Sequence, residues 1–174
     1  MRYNLFGPGN DVVLLVSRIL LTSLVILFGW SKITGFSGTV DYMAHVGAPV
    51  PMISAVIAVI MEFAVGVLLL VGFYTRPLAV LLAIYTVATA FIGHHFWTMT
   101  GADQMANMIN FYKNISIAGG LLALAVTGPG AISIDRKYRT ALTAKRRDAV
   151  WHRAFFWASA NLIKFTSTMC HAKI

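Results

Sequence analysis

The sequence predicts an all-α integral membrane protein, a bundle of four antiparallel transmembrane helices that carries a basic C-terminal tail. Of the 174 residues, 58% are hydrophobic and only 11% are charged, against about 45–50% and about 25% in soluble domains. The chain also contains four apolar stretches close to the length of about 20 residues that a helix needs to cross a bilayer. The lipid bilayer is therefore the first partner that we expect.

Short polar or glycine-rich segments separate the four stretches. Only three residues lie between the second and the third, so these two spans should be antiparallel neighbours, and Pro77 suits the start of a helix. The fourth stretch ends at Gly128-Pro129-Gly130 and is expected to extend backward through MANMIN, so that Lys113 lies inside its helix. A glycine- and proline-rich loop is expected between the first two spans. The stretches cover residues 12–33, 52–73, 77–96 and 111–126.

The positive charge of the chain is concentrated at its C-terminal end. Residues 1–135 carry five basic and five acidic side chains, whereas residues 136–174 carry nine basic side chains and one acidic one, so the tail holds the whole net charge of +8. We therefore divide the chain into a four-span domain, 1–135, and a basic cytoplasmic tail, 136–174. Anionic lipids are the expected partner of the tail. Nucleic acid is not expected, because no nucleic-acid-binding pattern accompanies the charge.

Three alternatives remain for the structure of this tail. Its basic and aromatic residues are typical of a helix lying on the cytoplasmic leaflet, but disorder and a helix bound to a partner also fit. The distribution of Lys and Arg around the spans predicts that both termini lie in the cytoplasm of a bacterial cell, with the spans in the inner membrane. Lys32 and Lys113 then belong to the outer side.

Glu62 lies near the middle of the second apolar stretch. A charged side chain at that depth costs roughly 2.5–3.5 kcal/mol on insertion scales, so Glu62 should face the interior of the bundle and meet a cation. Arg18 is offset by about four residues in depth, or about 6 Å, and its side chain can cover that distance; Lys113 approaches from the opposite side. Two interpretations stay open: an ion pair that holds the bundle together, and a group that handles protons or binds a ligand.

Other polar residues define an interior face and exclude some chemistries. Arg18, Gly29 and Lys32 fall on one side of the first span at 100° per residue. His94 and His95 are adjacent and point about 100° apart on a helix, so they cannot chelate one metal together. They are interpreted as interfacial polar residues near Trp97, with a haem or metal role as the alternative, and no metal site is predicted. A single cysteine excludes thiol–disulfide exchange within the chain.

Three segments resemble the DoxX family of small four-helix bacterial inner-membrane proteins. The most specific of them is the last, because a span that ends in GPG and continues with S-x-D is unusual. The resemblance covers roughly residues 12–135 and implies the four-helix membrane bundle, but it does not extend to the tail. The segments read VSRILLTSLVILFGWSKITGF, IMEFAVGVLLLVGFYTRPLAVLLA and NFYKNISIAGGLLALAVTGPGAISID.

The resemblance also implies a function, since family members are often described as oxidoreductases or as subunits associated with quinol oxidases. It implies an accessory or quinone-associated subunit of a redox or oxidative-stress assembly, with quinone as its cofactor and with proteins of that assembly or a second copy as partners. A quinone head group would then meet Glu62, Arg18, Lys113 and Asn114. No catalytic residue carries over, so whether the chain is an enzyme stays open. The alternatives are a non-catalytic scaffold that recruits a partner and, with four spans per chain, a dimeric small-molecule transporter.

Overall fold

Five helices account for most of the chain that the structure, a computed structural model, describes, which is residues 9–143. A short 3-10 turn, Phe96–Thr98, and residues 134–143 are also helical. Within the described range there is no strand, so the predicted all-α class is confirmed. The helices are α1, Asn10–Thr34; α2, Phe36–His45; α3, Pro51–Val71; α4, Thr75–Gly93; and α5, Gly101–Thr127.

Four of these helical segments are long and apolar enough to cross a membrane, namely α1, α3, α5, and α4 together with the 3-10 turn that follows it. This confirms the four predicted spans. Between 17% and 33% of the residues in their most apolar windows are buried inside the bundle, so most of the apolar surface is left to face lipid. The antiparallel order, the cytoplasmic termini and the interfacial tail stay predictions, and residues 144–174 lie outside the described range.

Two predictions about the connections had different outcomes. The predicted backward extension of the fourth span is confirmed, because α5 begins at Gly101 and includes Lys113. The loop predicted between the first two spans is wrong in part, because Phe36–His45 forms α2. Gly35 and Gly47 flank this helix, and Gly38 lies within it with no neighbouring atom within 4 Å of the position of a Cβ. The glycines had suggested a loop, yet only those at the two ends of the segment interrupt the helix.

The middle of α3 departs from α-helical geometry. Residues Ile60–Val65 form a π-helical segment that contains Glu62, and such segments occur frequently at functional sites. Helix α1 packs directly against this segment at Gly29. A Cβ atom at Gly29 would lie only 2.5 Å from the backbone nitrogen of Phe63 and 2.8 Å from the carbonyl carbon of Glu62. Glycine therefore lets the two backbones approach more closely than any other residue would.

The apolar core lies among α1, α3, α4 and α5. Three of its ten residues are alanines, and small residues of this kind let helices pack closely in membranes. Thr22 and Thr86 are also buried, and each donates its hydroxyl to the backbone carbonyl four residues earlier in its own helix. The core consists of Val25, Met61, Val65, Leu69, Ala79, Leu82, Ala83, Ala118, Leu121 and Leu124.

Residues 128–135, which we call the clasp, follow α5 and bind the ends of other helices. The carboxylate of Asp135 accepts hydrogen bonds from the backbone N–H groups of Tyr74, at 2.7 Å, and Thr75, at 2.9 Å. The backbone N–H of Asp135 donates to the carbonyl of Gly72 at 2.9 Å. An acidic group at this position satisfies free N–H groups at the start of α4 and interacts favourably with the helix dipole.

The clasp also binds α1 at two positions. The backbone N–H of Ala131 donates to the carboxylate of Asp11 at 2.6 Å, and the guanidinium of Arg18 donates to the carbonyl of Ile132. Arg18 is almost completely buried, with 1% of its surface exposed. The clasp therefore supplies one acceptor for this buried guanidinium, whereas Nε and Nη1 of Arg18 are buried without a hydrogen-bond partner among the described residues.

Candidate ligand-binding site

The carboxylate of Glu62 is bound on both of its oxygens. One oxygen lies 2.6 Å from Nζ of Lys32 in an ion pair, and the other accepts a hydrogen bond of 2.8 Å from the hydroxyl of Tyr85. The side chains of Lys32 and Glu62 are only 22% and 14% exposed, so the pair is largely withdrawn from the surroundings. A carboxylate inside a membrane helix is stabilised when a cation and a second donor meet it in this way.

The local structure of α1 and α3 explains why these groups meet. Lys32 follows Gly29 by three residues and therefore lies on the same face of α1. Because Gly29 contacts the backbone at Glu62, the lysine extends along α3 beside the carboxylate. Tyr85 reaches the same carboxylate from α4. Three helices thus contribute one side chain each to the cluster.

A second cation lies near this cluster. Nζ of Lys113, on α5, donates to the side-chain oxygen of Asn110 at 2.8 Å. Its ammonium group lies 5.2 Å from the centre of the Phe28 ring, and that of Lys32 lies 5.6 Å from the same ring centre. The aromatic face interacts favourably with both charges. Lys32 pairs with Glu62, and Lys113 forms no ion pair with any carboxylate of residues 9–143.

A cavity of about 700 Å³ adjoins these groups. Its volume falls in the range of about 300–1,000 Å³ that is usual for small-molecule sites. Its wall is mostly apolar, and α2 forms part of it through residues such as Thr39 and Met43. Such a wall with a few convergent polar groups is the common form of a ligand pocket. The polar lining of this cavity includes Lys32, Glu62, Tyr85, His94, Asn110, Lys113 and Asn114, together with the hydroxyl groups of Ser31, Thr39, Tyr42, Ser54, Thr86 and Thr89.

The structure separates the predicted site residues into two groups. Glu62, Lys113 and Asn114 line this one cavity, whereas Arg18 does not. The predicted partners of Glu62 were Arg18 and Lys113, and both pairings are wrong, because Lys32 makes the ion pair. Arg18 is instead held at the clasp by a carbonyl that comes from beyond the end of the fourth span. Whether the cavity residues bind a cofactor stays a prediction.

Sequence reasoning did not assign Lys32 and Tyr85 to the site. Lys32 was recognised on the interior face of the first span but was assigned to the outer side of the membrane. The signal that could have found it is Gly29, one turn earlier, which marks a close helix contact. Tyr85 had no such signal, since a tyrosine in an apolar stretch is equally consistent with simple packing.

The adjacent histidines are bound separately. Nδ1 of His94 lies 3.0 Å from the side-chain oxygen of Asn107, and Nδ1 of His95 lies 3.0 Å from the carbonyl of Ile92. Nowhere in residues 9–143 do three His, Cys, Asp or Glu side chains gather in a way that could hold a metal ion. His94 also lines the cavity, so the candidate site combines one imidazole with the lysines, the carboxylate, the tyrosine and the amides.

Substitution of Lys32 tests the stabilising role of the ion pair. We expect Lys32→Met to lower the free energy of unfolding by about 3 kcal/mol, the lower end of the cost of breaking a buried pair, because Glu62 keeps its charge without a cation. The double variant Lys32→Met, Glu62→Gln should recover most of this loss, since an amide needs no counter-charge. Unfolding in mixed micelles measures both. A double variant as unstable as Lys32→Met would show that the unpaired carboxylate is not the cause.

Comparisons with known proteins identify relatives of the chain. The family model described as DoxX matches residues 13–95. Inner membrane protein YphA of Escherichia coli K12 is 56% identical over 137 residues, which cover 79% of this chain and 98% of that protein. Inner membrane protein YqjF of the same organism is 46% identical over 127 residues, or 73% of this chain and 92% of that protein. No solved structure matches the chain.

A more distant similarity covers a smaller part of the chain. The Surfeit locus protein 4 homolog of Schizosaccharomyces pombe is 32% identical over 72 residues, which are 40% of this chain and 24% of that protein. The match to the family model includes Lys32, Glu62 and Tyr85, and it ends before Lys113 and Asn114. The part of the cavity wall that α5 contributes therefore lies outside the matched region.

Proposed function

Because the chain belongs to the DoxX family, we propose that it binds a membrane quinone in the cavity beside Glu62. In this proposal it acts as an accessory, quinone-associated subunit of a redox or oxidative-stress assembly in the inner membrane. The observation that carries the proposal is the cavity itself, which combines an apolar wall with polar groups from α1, α3, α4 and α5. A quinone has matching chemistry, with an apolar ring and tail and two polar oxygens.

The polar groups offer both donors and an acceptor to such a head group. Lys113 has three N–H donors, of which one is used by Asn110. The side-chain amide of Asn114 makes no hydrogen bond with any residue of the described range and can bind a carbonyl oxygen. The carboxylate of Glu62 has lone pairs beyond those that Lys32 and Tyr85 use, so it can accept a hydrogen bond from a quinol hydroxyl. Both redox forms can therefore be held.

The location of the four spans supports a ligand that is dissolved in lipid. Most of the apolar surface of the spans is free to contact lipid, and the two E. coli relatives are named as inner membrane proteins. A quinone in the same bilayer reaches the protein without crossing water. Partner proteins, a homo-oligomer, anionic lipids at the tail, and the scaffold and transporter alternatives stay predictions.

The experiment is a binding titration with a short-chain ubiquinol and the corresponding quinone on the full-length protein in mild detergent, together with native mass spectrometry of the protein as first extracted. Glu62→Gln should weaken quinol binding about tenfold, because one hydrogen bond to a charged acceptor contributes about 1.5–3 kcal/mol. The amide still accepts from Tyr85, but Lys32 loses its counter-charge, so we expect a lower free energy of unfolding; circular dichroism checks that the variant is folded before the titration.

The matched control is Asp103→Asn, which removes the same charge at an exposed position on α5 that does not line the cavity. We expect it to bind quinol as the native protein does. Unchanged quinol affinity in Glu62→Gln, or native protein that binds neither form and carries no quinone mass, would contradict the proposal.

A further inference from the structure

We infer that the cavity selects a negatively charged head group, so that the preferred ligands are ionised quinone-type compounds, such as a hydroxyquinone or the anion of a quinol, over a neutral quinone. This inference rests on the proposed function and narrows its ligand class. It starts from the charged side chains that line the cavity, which, besides the imidazole of His94, are two lysines and one glutamate.

The charges at the cavity do not balance. Lys32 and Glu62 neutralise each other through their 2.6 Å contact. Lys113 contacts an amide oxygen of Asn110 and the face of Phe28, and neither of these groups carries a compensating charge. One positive charge is therefore left on a helix that is apolar enough to cross a membrane. An uncompensated ammonium group in that environment is costly, and an anionic ligand would offset the cost.

The geometry favours an anion at one particular place. Both ammonium groups lie over the ring of Phe28, so an anionic oxygen bound beside that ring is attracted by both. Lys113 keeps two N–H donors for it after bonding to Asn110. Hydrogen bonds between charged partners are roughly twice as strong as those between neutral ones. The same contacts therefore bind an ionised oxygen more tightly than a neutral carbonyl.

Two probes with the same ring system separate the effect of charge from that of shape. The hydroxyl of 2-hydroxy-1,4-naphthoquinone is ionised at neutral pH, whereas 2-methoxy-1,4-naphthoquinone has no ionisable group. Calorimetric titration of the full-length protein in a non-ionic detergent, with empty micelles as the reference, gives both affinities. We expect the hydroxy compound to bind about tenfold more tightly, a factor equivalent to 1.4 kcal/mol.

Variants at Lys113 test whether this residue is the source of the preference. Lys113→Met should bind the two probes about equally, because it removes the uncompensated charge and keeps a long apolar side chain, while Lys113→Arg should retain the preference. The matched control is Lys137→Met, the same change at an exposed position outside the cavity, which should also retain it. Should Lys113→Met fail to fold by circular dichroism, Lys113→Gln provides the same comparison.

The outcomes distinguish quinone binding, selectivity for a negatively charged head group, and the assignment of that selectivity to Lys113. Equal affinities for both probes in the native protein would overturn the charge selectivity and leave quinone binding standing. No binding of either probe would overturn both proposals. A preference for the hydroxy compound that survives the loss of the Lys113 charge would overturn the assignment to this residue.

Discussion

Gly72→Ala is expected to lower the free energy of unfolding by about 3 kcal/mol or more, through strain of about 1–2 kcal/mol in the left-handed region and overpacking of about 1–3 kcal/mol. Gly72 has a φ of +72°, which L side chains rarely adopt. A Cβ atom there would lie 2.0 Å from Nη1 of Arg18 and 2.6 Å from Cβ of Ser133. The guanidinium of Arg18 would have to move, and its hydrogen bond to the carbonyl of Ile132 would be lost.

Gly47→Ala is the matched control for this substitution. Gly47 has nearly the same φ, +73°, but no atom lies within 4 Å of the position of its Cβ. The Gly47→Ala substitution therefore measures the backbone strain alone, and we expect it to lower the free energy of unfolding by about 1 kcal/mol. Thermal unfolding in mild detergent, followed by circular dichroism, compares the two variants. Equal losses of unfolding free energy in the two variants would show that Arg18 and Ser133 do not lie as close to Gly72 as the structure indicates.

Gly29→Ala is expected to cost about 2–3 kcal/mol by overpacking and to weaken ligand binding as well. The added methyl would meet backbone atoms of Phe63 and Glu62 at 2.5 and 2.8 Å, and backbone cannot move aside as a flexible side chain can. Helix α1 would have to withdraw by roughly 1 Å to restore a normal contact of about 3.5 Å. Because Lys32 lies one turn further along α1, its 2.6 Å contact with Glu62 would lengthen.

The control for this variant is Gly119→Ala on α5, where a Cβ would meet no atom within 4 Å. There the substitution should stabilise the helix by up to about 1 kcal/mol, since alanine favours helix more than glycine does. Both variants are measured by thermal unfolding and by the quinol titration. If Gly29→Ala behaves like Gly119→Ala in both assays, the close contact of α1 with the π-helical segment is not present.

The parts of the fold that depend on apolar length could be predicted from the sequence. The four spans follow from the bilayer thickness, and the position of Lys113 within the last span follows from the requirement that this span be long enough. The interior orientation of Arg18 also followed from the helical period. Its partner did not, because the argument from depth considered only groups on neighbouring spans. Gly128-Pro129-Gly130 was recognised as the end of the last span and S-x-D as a family motif, but the return of these residues to α1 depends on contacts between distant residues.

The candidate site was predictable only in part for a related reason. Glu62 was singled out by the cost of its charge, which is a local property of the sequence. Its partners depend on how closely α1 approaches α3, and that distance is set by Gly29 together with a π-helical segment. A π-helical segment has no compositional signal comparable to a cap or a proline. Only its hydrogen bond to the carboxylate of Glu62 in the structure identifies Tyr85 as a site residue.

The second half of α3 has a fixed chain length. It runs from the π-helical segment, where Gly29 meets the backbone of Glu62 and Phe63, to Gly72, which lies against Arg18. Removing one residue between these contacts would rotate the rest of α3 by about 100° and shorten it by about 1.5 Å, so both contacts could not be kept. Proteins that share this arrangement should therefore align through the second half of this helix without gaps.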